Sequence, residues 1–325
     1  MAISSVAGYG ASQDNARQSS ADPRKGELPK SSASTEAVKE GDAQSLAQGA
    51  RTGGNVVSLS ADAILVLASA APTLHSKSSY YERFFPTRDG FSATNLAAAV
   101  SDPSAQPFAQ NRSFAAVAEA ARARLDEKYQ QMSETGLPFN TDSYEGIDSS
   151  SAFGEFDRRA LYAVASNEDG LFSEREQRIA TTLMSRQQGL AMALYNGPTR
   201  LAGDFVHPSM VDRAQSLKSG MRFLDGVSSE EKAGSFAWAE QRAATQWSYE
   251  NEMAGRGAVP EDFATEHPIA RLIRDALEAW EHRPGVASKG GVESEADLRR
   301  QPWLQGLEDQ LDQAIAQTQE LYGVS

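Results

Sequence analysis

Residues 153–195, from Phe153 to Tyr195, read FGEFDRRALYAVASNEDGLFSEREQRIATTLMSRQQGLAMALY and contain the strongest structural signal in the chain. Apolar residues at helical spacing occupy the first and last parts of this stretch, and a short acidic turn lies between them. Ser173 and Glu176 form an S-x-x-E capping box, which is a signature of a helix start. The stretch therefore predicts two helices joined by a tight turn.

Helical periodicity recurs along the rest of the chain. Apolar residues at steps of three and four predict a helix over 113–135. Further helices are predicted over 208–224, 229–253, 267–282 and 302–322. Because no run of alternating apolar and polar residues is long enough to predict a sheet, we expect an all-α, multi-helix globular protein.

Composition predicts three parts along the chain. Residues 1–55 are rich in Ser, Ala, Gly and Gln and have few large apolar residues, so burial cannot offset the entropy cost of ordering them and we expect disorder. A helical part follows over 56–140. A second helical part, over 153–325, contains the turn and ends in an amphipathic helix. Residues 136–152, at the boundary of these two parts, have the composition of a polar loop.

Charge and composition limit the possible partners. The chain has 325 residues, a net charge of −13 and no cysteine. Since an acidic chain repels the phosphate backbone, we expect no nucleic-acid partner. Without cysteine the chain forms no disulfide and no thiolate metal site. The most apolar run, residues 61–71, is about half as long as a membrane-spanning helix must be, so we expect no membrane span.

The location of the protein is predicted from its N-terminal residues. They lack the basic start and following apolar run of a secretory signal, so we expect a cytoplasmic protein by default. Residues 57–63, VSLSADA, resemble short stretches of bacterial flagellar and type III-exported proteins. This resemblance keeps a bacterial origin and export without a signal peptide open.

Residues 165–176 also match the spacing of a calcium-binding loop. That loop takes oxygen ligands from positions 1, 3, 5, 7, 9 and 12 and has a glycine at position 6, where Gly170 falls. The stretch 153–184 therefore resembles an EF-hand helix-loop-helix. The resemblance implies a weak calcium site with the ligands Asn167, Asp169, the backbone carbonyl of Leu171, Ser173 and Glu176. The family has aspartate at position 1, where this chain has Ala165, so one charged ligand is missing.

The same residues also fit a purely structural turn. Asn167 and Gly170 suit the left-handed backbone of a tight turn, and the capping box explains the serine and the glutamate. An Asp-Gly dipeptide followed by a serine also precedes two other helical patterns, at 89–92 and 225–228, without a glutamate at the twelfth loop position. The sequence leaves both interpretations open: a structural turn with no cofactor, or a weak calcium site.

No known catalytic motif is present in the sequence. It lacks H-E-x-x-H, G-x-S-x-G and the glycine-rich phosphate loop. Of its four histidines, His207 and His267 each precede a proline at a predicted helix start, which indicates structural roles. We therefore expect a non-enzymatic helical interaction protein whose protein partner and oligomeric state stay open. A calcium-binding protein is the first alternative, and an enzyme of unrecognised type is the second.

Overall fold

The fold is all-α throughout the described part of the chain. A computed structural model describes residues 79–206, 212–281 and 291–323, all of which belong to a single compact unit. Within these ranges the chain forms helices and connecting turns and no strand, so the all-α prediction is confirmed. The predicted disorder of residues 1–55 lies outside the described residues.

The α-helices of the described ranges are numbered here in chain order. The N-terminal helices are α1 (Thr94–Ser101), α2 (Phe114–Glu134), α3 (Ile147–Phe153), α4 (Arg158–Ser166) and α5 (Glu174–Ala191). The C-terminal helices are α6 (Arg213–Asp225), α7 (Ser229–Gly234), α8 (Phe236–Gly255), α9 (Pro268–Glu281), α10 (Glu295–Arg299) and α11 (Glu308–Tyr322). Short 3₁₀ helices span Tyr144–Gly146, Thr199–Asp204 and Pro302–Leu304.

The predicted pair of helices is present as α4 and α5, which pack against each other. Asp157 begins α4, because its carboxylate accepts the amide of Ala160 at 2.9 Å. The same carboxylate accepts the amides of Phe108 and Ala109, both at 2.9 Å. Backbone amides thus satisfy a carboxylate that is almost fully buried. Asp157 therefore joins the start of α4 to the segment before α2.

The main hydrophobic core lies around α4 and α5. Phe84, Phe153 and Phe156 are completely buried there, and the rings of Phe153 and Phe156 meet edge to face with their centres 5.6 Å apart. Leu125 of α2 and Leu161 of α4 are also completely buried. The cluster is continuous from the aromatic segment that precedes α1 to the C-terminal helix α11.

The C-terminal helices pack in sequence, α6 against α8, α8 against α9 and α9 against α11. As far as the structure describes them, the helices predicted over 208–224 and 267–282 are present as α6 and α9. A second, smaller cluster between α6 and α8 includes the buried side chains of Met221 and Tyr249.

Two ion pairs join α4 to α7. Arg158 and Glu231 meet at 2.6 Å, with their side chains only 4% and 2% exposed. The neighbouring residues Arg159 and Glu230 also meet at 2.6 Å. Removing one partner of such a buried pair leaves an uncompensated charge and costs about 3–5 kcal/mol. These pairs therefore fix the position of α7 against α4.

Two helices predicted as continuous are divided in the structure. The prediction for 229–253 is wrong at Ser235, whose extended backbone ends α7 and whose hydroxyl caps α8 by accepting the amide of Trp238 at 3.1 Å. The prediction for 302–322 is wrong at Gly306, which has a left-handed φ of 86° between the 3₁₀ helix and α11.

The prediction that residues 136–152 form a polar loop is wrong for its second half, where α3 lies. Asp148 and Ser151 of this helix are buried although they are polar. Asp148 accepts the amide of Asn140 at 2.8 Å, and Ser151 accepts the amide of Arg88 at 2.8 Å. A helix whose buried face is partly polar carries little hydrophobic periodicity, and the pattern therefore did not predict it.

Candidate functional site

The turn between α4 and α5 is closed by Asn167 and Gly170. Asn167 has a left-handed φ of 50°, and its side chain forms two hydrogen bonds to the backbone of Phe172. Its Oδ1 accepts the Phe172 amide at 2.8 Å, and its Nδ2 donates to the Phe172 carbonyl at 3.0 Å. Gly170 has a φ of 67° and donates its amide to the Asn167 carbonyl at 3.0 Å. Both residues thus adopt the backbone that a tight turn requires.

The capping box predicted at the start of α5 is present. The Ser173 hydroxyl accepts the amide of Glu176 at 3.4 Å. In return, Oε2 of Glu176 accepts the amide and the hydroxyl of Ser173, each at 2.8 Å. These bonds satisfy amides at the helix start that have no partner within the helix.

The second carboxylate oxygen of Glu176 is bound to α2. Its Oε1 accepts from Arg122 at 2.8 Å and from the hydroxyl of Tyr129 at 3.1 Å. Burial by itself would raise the pKa of Glu176, but the hydrogen bonds from Arg122 and Ser173 outweigh it and hold this pKa below its ordinary value. Glu176 is therefore a buried anion that joins the turn to α2.

The remaining predicted calcium ligands face solvent. Asp169 and Leu171 are exposed, whereas the side-chain oxygens of Asn167, Ser173 and Glu176 are held in the hydrogen bonds just described. In the folded turn only Asp169 offers a free carboxylate at a ligand position of the calcium loop. Calcium takes six to eight oxygen ligands. Among the described residues, no group of three or more His, Asp or Glu side chains could hold a metal ion. The donor set does not fit the ion, and calcium binding stays a prediction.

A cleft lies on another side of α5, facing the segment 141–149. It has a volume of about 400 Å³, and Gly146 and Ser149 contribute to one wall. The α5 wall presents Arg175, Arg178, Thr182 and Arg186. These residues follow one another at steps of three, four and four, which places them on one helical face. The cleft therefore has a cationic wall, although the chain as a whole has a net charge of −13.

The arginines of this wall form weak ion pairs with carboxylates of the described residues or none. Arg178 lies 3.6 Å from Glu174 in an exposed pair, and such pairs contribute little. Arg175 and Arg186 are in no ion pair with any residue of the described ranges. We name the three arginines 175, 178 and 186 the cationic face of α5.

Arg186 is the most enclosed member of the cationic face. It donates from Nη1 to the carbonyl of Phe84 at 3.3 Å, and its guanidinium lies 5.7 Å from the centre of the Phe85 ring. Its Nε is buried and has no hydrogen-bond partner among the described residues. Burial lowers the pKa of Arg186, and the nearby Tyr195 and Glu145 only partly oppose this shift. A guanidinium in this setting is a strong donor for an incoming anion.

The opposite wall has an unusual backbone. Glu145 has a left-handed φ of 51°, and it is followed by Gly146 with a φ of 73°. Arg200 holds the Glu145 carboxylate at 2.6 Å. Non-glycine residues with such a backbone are strained, and strain of this kind concentrates at functional sites. We did not predict this cleft from the sequence, but the helical spacing of the arginines on α5 was a readable signal for its cationic wall.

His267 lies outside the cleft and in the core. Its Nε2 lies 2.9 Å from the carbonyl of Lys232, and its ring stacks on Tyr322 with the ring centres 5.1 Å apart. Burial lowers the pKa of His267 to about 4, so the ring is neutral at pH 7. The predicted role of His207 lies outside the described residues.

Two broader findings complete the description of the chain. Among the described helices, none combines the length and the apolar character that crossing a membrane requires. Comparisons of the chain with protein-family models, with curated proteins and with solved structures find no match.

Proposed function

We propose that the protein is a non-enzymatic helical binding protein whose protein partner docks over the cleft between the segment 141–149 and α5. The cationic face of α5 is the observation that carries this proposal. In an acidic chain, arginines that meet no strong carboxylate partner among the described residues are available to a partner of opposite charge. Arginine is also enriched in protein interfaces, where it often contributes much of the binding energy.

Two exposed large side chains on the segment that leads into the cleft wall support the same proposal. Leu137 is 65% exposed and Tyr144 is 70% exposed, and both precede residues of the cleft wall on the same connecting segment. Tyrosine is enriched in interfaces because its ring buries apolar area while its hydroxyl keeps a polar contact. The cationic face and these side chains together offer charge and apolar area to one partner.

The proposal is tested by capturing the partner from a lysate of the native host. Arg175→Glu reverses one exposed charge of the cationic face, and Arg271→Glu makes the same change on the exposed surface of α9 as a matched control. We expect the amount of captured partner to fall by about tenfold for Arg175→Glu and to stay unchanged for Arg271→Glu. Equal capture by wild type and by both variants would contradict the proposal.

Calcium binding is the second candidate function. It is favoured by the left-handed backbone of Gly170, which stands where a calcium loop makes its sharp turn. For calcium to take the predicted ligands, Glu176 would have to leave both Ser173 and Arg122. Because that exchange has a cost, we rank this function below partner binding.

A further inference from the structure

The cationic face of α5 is about as long as five residues of an extended peptide. From Arg175 to Arg186 the helix advances eleven residues, which is about 16 Å along its axis. An extended chain advances about 3.3 Å per residue, so about five peptide residues cover this distance. A single small oxyanion is too short to contact all three arginines at once.

The enclosed guanidinium of Arg186 is suited to one carboxylate. A guanidinium has five N–H donors, and the hydrogen bond to the Phe84 carbonyl engages one of them. The Phe85 ring lies against it and restricts its orientation. A guanidinium in fixed orientation can bind a carboxylate through two parallel hydrogen bonds, which gives geometric specificity as well as affinity.

The opposite wall comes close to Arg186 at Gly146. A Cβ added to this glycine would lie 4.0 Å from Nη2 of Arg186, which is van der Waals contact, and the glycine leaves that contact position free. Asp142 is exposed at the rim of the same wall, where its negative charge repels an acidic ligand. Charge complementarity therefore favours an acidic segment that lies along α5 and away from Asp142.

We infer that the cleft binds an extended acidic segment of the partner protein, about five residues long, with one carboxylate of that segment bound to Arg186. This inference rests on the proposed function and adds the chemical class of the segment that the partner presents. Arg175 and Arg178 contact further carboxylates nearer the start of α5.

A labelled pentaglutamate peptide is the probe for this inference, and pentaglutamine is its neutral control. Fluorescence anisotropy with the full-length protein at low salt measures their affinities. We expect pentaglutamate to bind and pentaglutamine not to bind, and we expect added salt to weaken the binding because exposed charges are screened. Arg186→Gln should weaken binding by about tenfold or more, and Arg178→Gln by about threefold.

Matched controls separate a lost contact from a lost fold. Arg271→Gln, on the exposed surface of α9, should leave the affinity for pentaglutamate unchanged. Circular dichroism checks that Arg186→Gln is folded, and the exposed Arg178→Gln tests the same face if it is not. Equal affinity of pentaglutamate for wild type and both cleft variants would overturn the inference, as would equal binding of pentaglutamine.

Two further outcomes separate this inference from the proposed function. If Arg175→Glu loses the host partner but pentaglutamate does not bind, the proposed docking site is supported and the inference of an acidic ligand is wrong. If the binding of pentaglutamate depends on Arg186 but the capture of the host partner does not depend on Arg175, the proposed function is wrong. A third outcome is that inorganic phosphate binds through Arg186 and pentaglutamate does not bind. The cleft would then be a site for small oxyanions, and the inference of an acidic peptide ligand would be wrong.

Discussion

Two neighbouring helices use their arginines in opposite ways. On α4, Arg158 and Arg159 are enclosed and each meets a carboxylate of α7 at 2.6 Å. On the cleft side of α5, Arg175 and Arg186 form no ion pair within the described ranges, and the Glu145 carboxylate near Arg186 is held by Arg200. Paired arginines hold the fold together, whereas unpaired arginines keep their charge available. The difference separates arginines that stabilise the fold from arginines that we propose to bind a partner.

Removing one arginine from each helix should give the largest difference in stability. Arg158→Gln should lower the free energy of unfolding by about 3–5 kcal/mol, because Glu231 would remain buried without its cation. Arg186→Gln should change it by less than about 1 kcal/mol, because Arg186 forms no ion pair among the described residues and Glu145 keeps Arg200 as its partner. Urea unfolding measures both values. Equal losses would show that the two arginines have the same role.

The pairing of Glu176 gives the next largest effect. Glu176→Gln should lower the free energy of unfolding by about 1–3 kcal/mol at pH 7, because it removes the charge that Arg122 and Ser173 bind. The pKa of Glu176 is lowered in the folded protein, so its contribution is present above the unfolded pKa and is lost as the pH falls through the folded value. The difference in stability between the two proteins should therefore decrease as the pH falls below the unfolded pKa of about 4.3. A constant difference down to pH 2 would contradict this assignment.

A smaller effect is expected at the tip of the turn. Gly170→Ala should lower stability by about 1 kcal/mol with and without calcium, because alanine is strained at a φ of 67°. Gly255→Ala is the matched control at the end of α8, where φ is not positive and nothing lies within 4 Å of an added Cβ. There alanine should be neutral or slightly stabilising. Thermal melts that show no loss for Gly170→Ala would contradict the left-handed turn.

The smallest change is expected for calcium affinity. Ala165→Asp supplies the carboxylate that the calcium loop lacks, but Glu176 stays bound to Arg122 and Ser173. We expect both wild type and Ala165→Asp to bind calcium no more tightly than about millimolar. Isothermal titration measures both affinities. A gain of tenfold or more, which is about 1.4 kcal/mol, would favour the calcium-binding function instead.

Local features of the chain could be predicted and long-range pairs could not. The turn and its capping box depend on residues within a short segment, such as Asn167 and Ser173, so their sequence signals are complete. Arg158 and Glu231 are separated by 73 residues, and no periodicity relates them. Their pairing is set by tertiary packing, which a single sequence does not display.

Two further positions show the same limit. Leu194 continues the helical spacing of Leu183 and Leu190, but it is 51% exposed because Ala193 adopts a left-handed φ of 57° after α5 ends. Asp157 is a polar residue at the start of an apolar helical pattern, and it caps α4 and accepts two amides from a distant segment. An apolar pattern cannot report a polar group whose partners lie elsewhere in the chain.

The paired arginines of α4 also determine the alignment of a very short helix. α7 has six residues, too few to hold its position through apolar contacts of its own. Adjacent residues on a helix point about 100° apart, so Glu230 and Glu231 can meet Arg159 and Arg158 together in only one rotation and one translation of α7. A shift by one residue would leave charges buried without partners. Two consecutive charges on each helix thus specify a single alignment of α7 against α4.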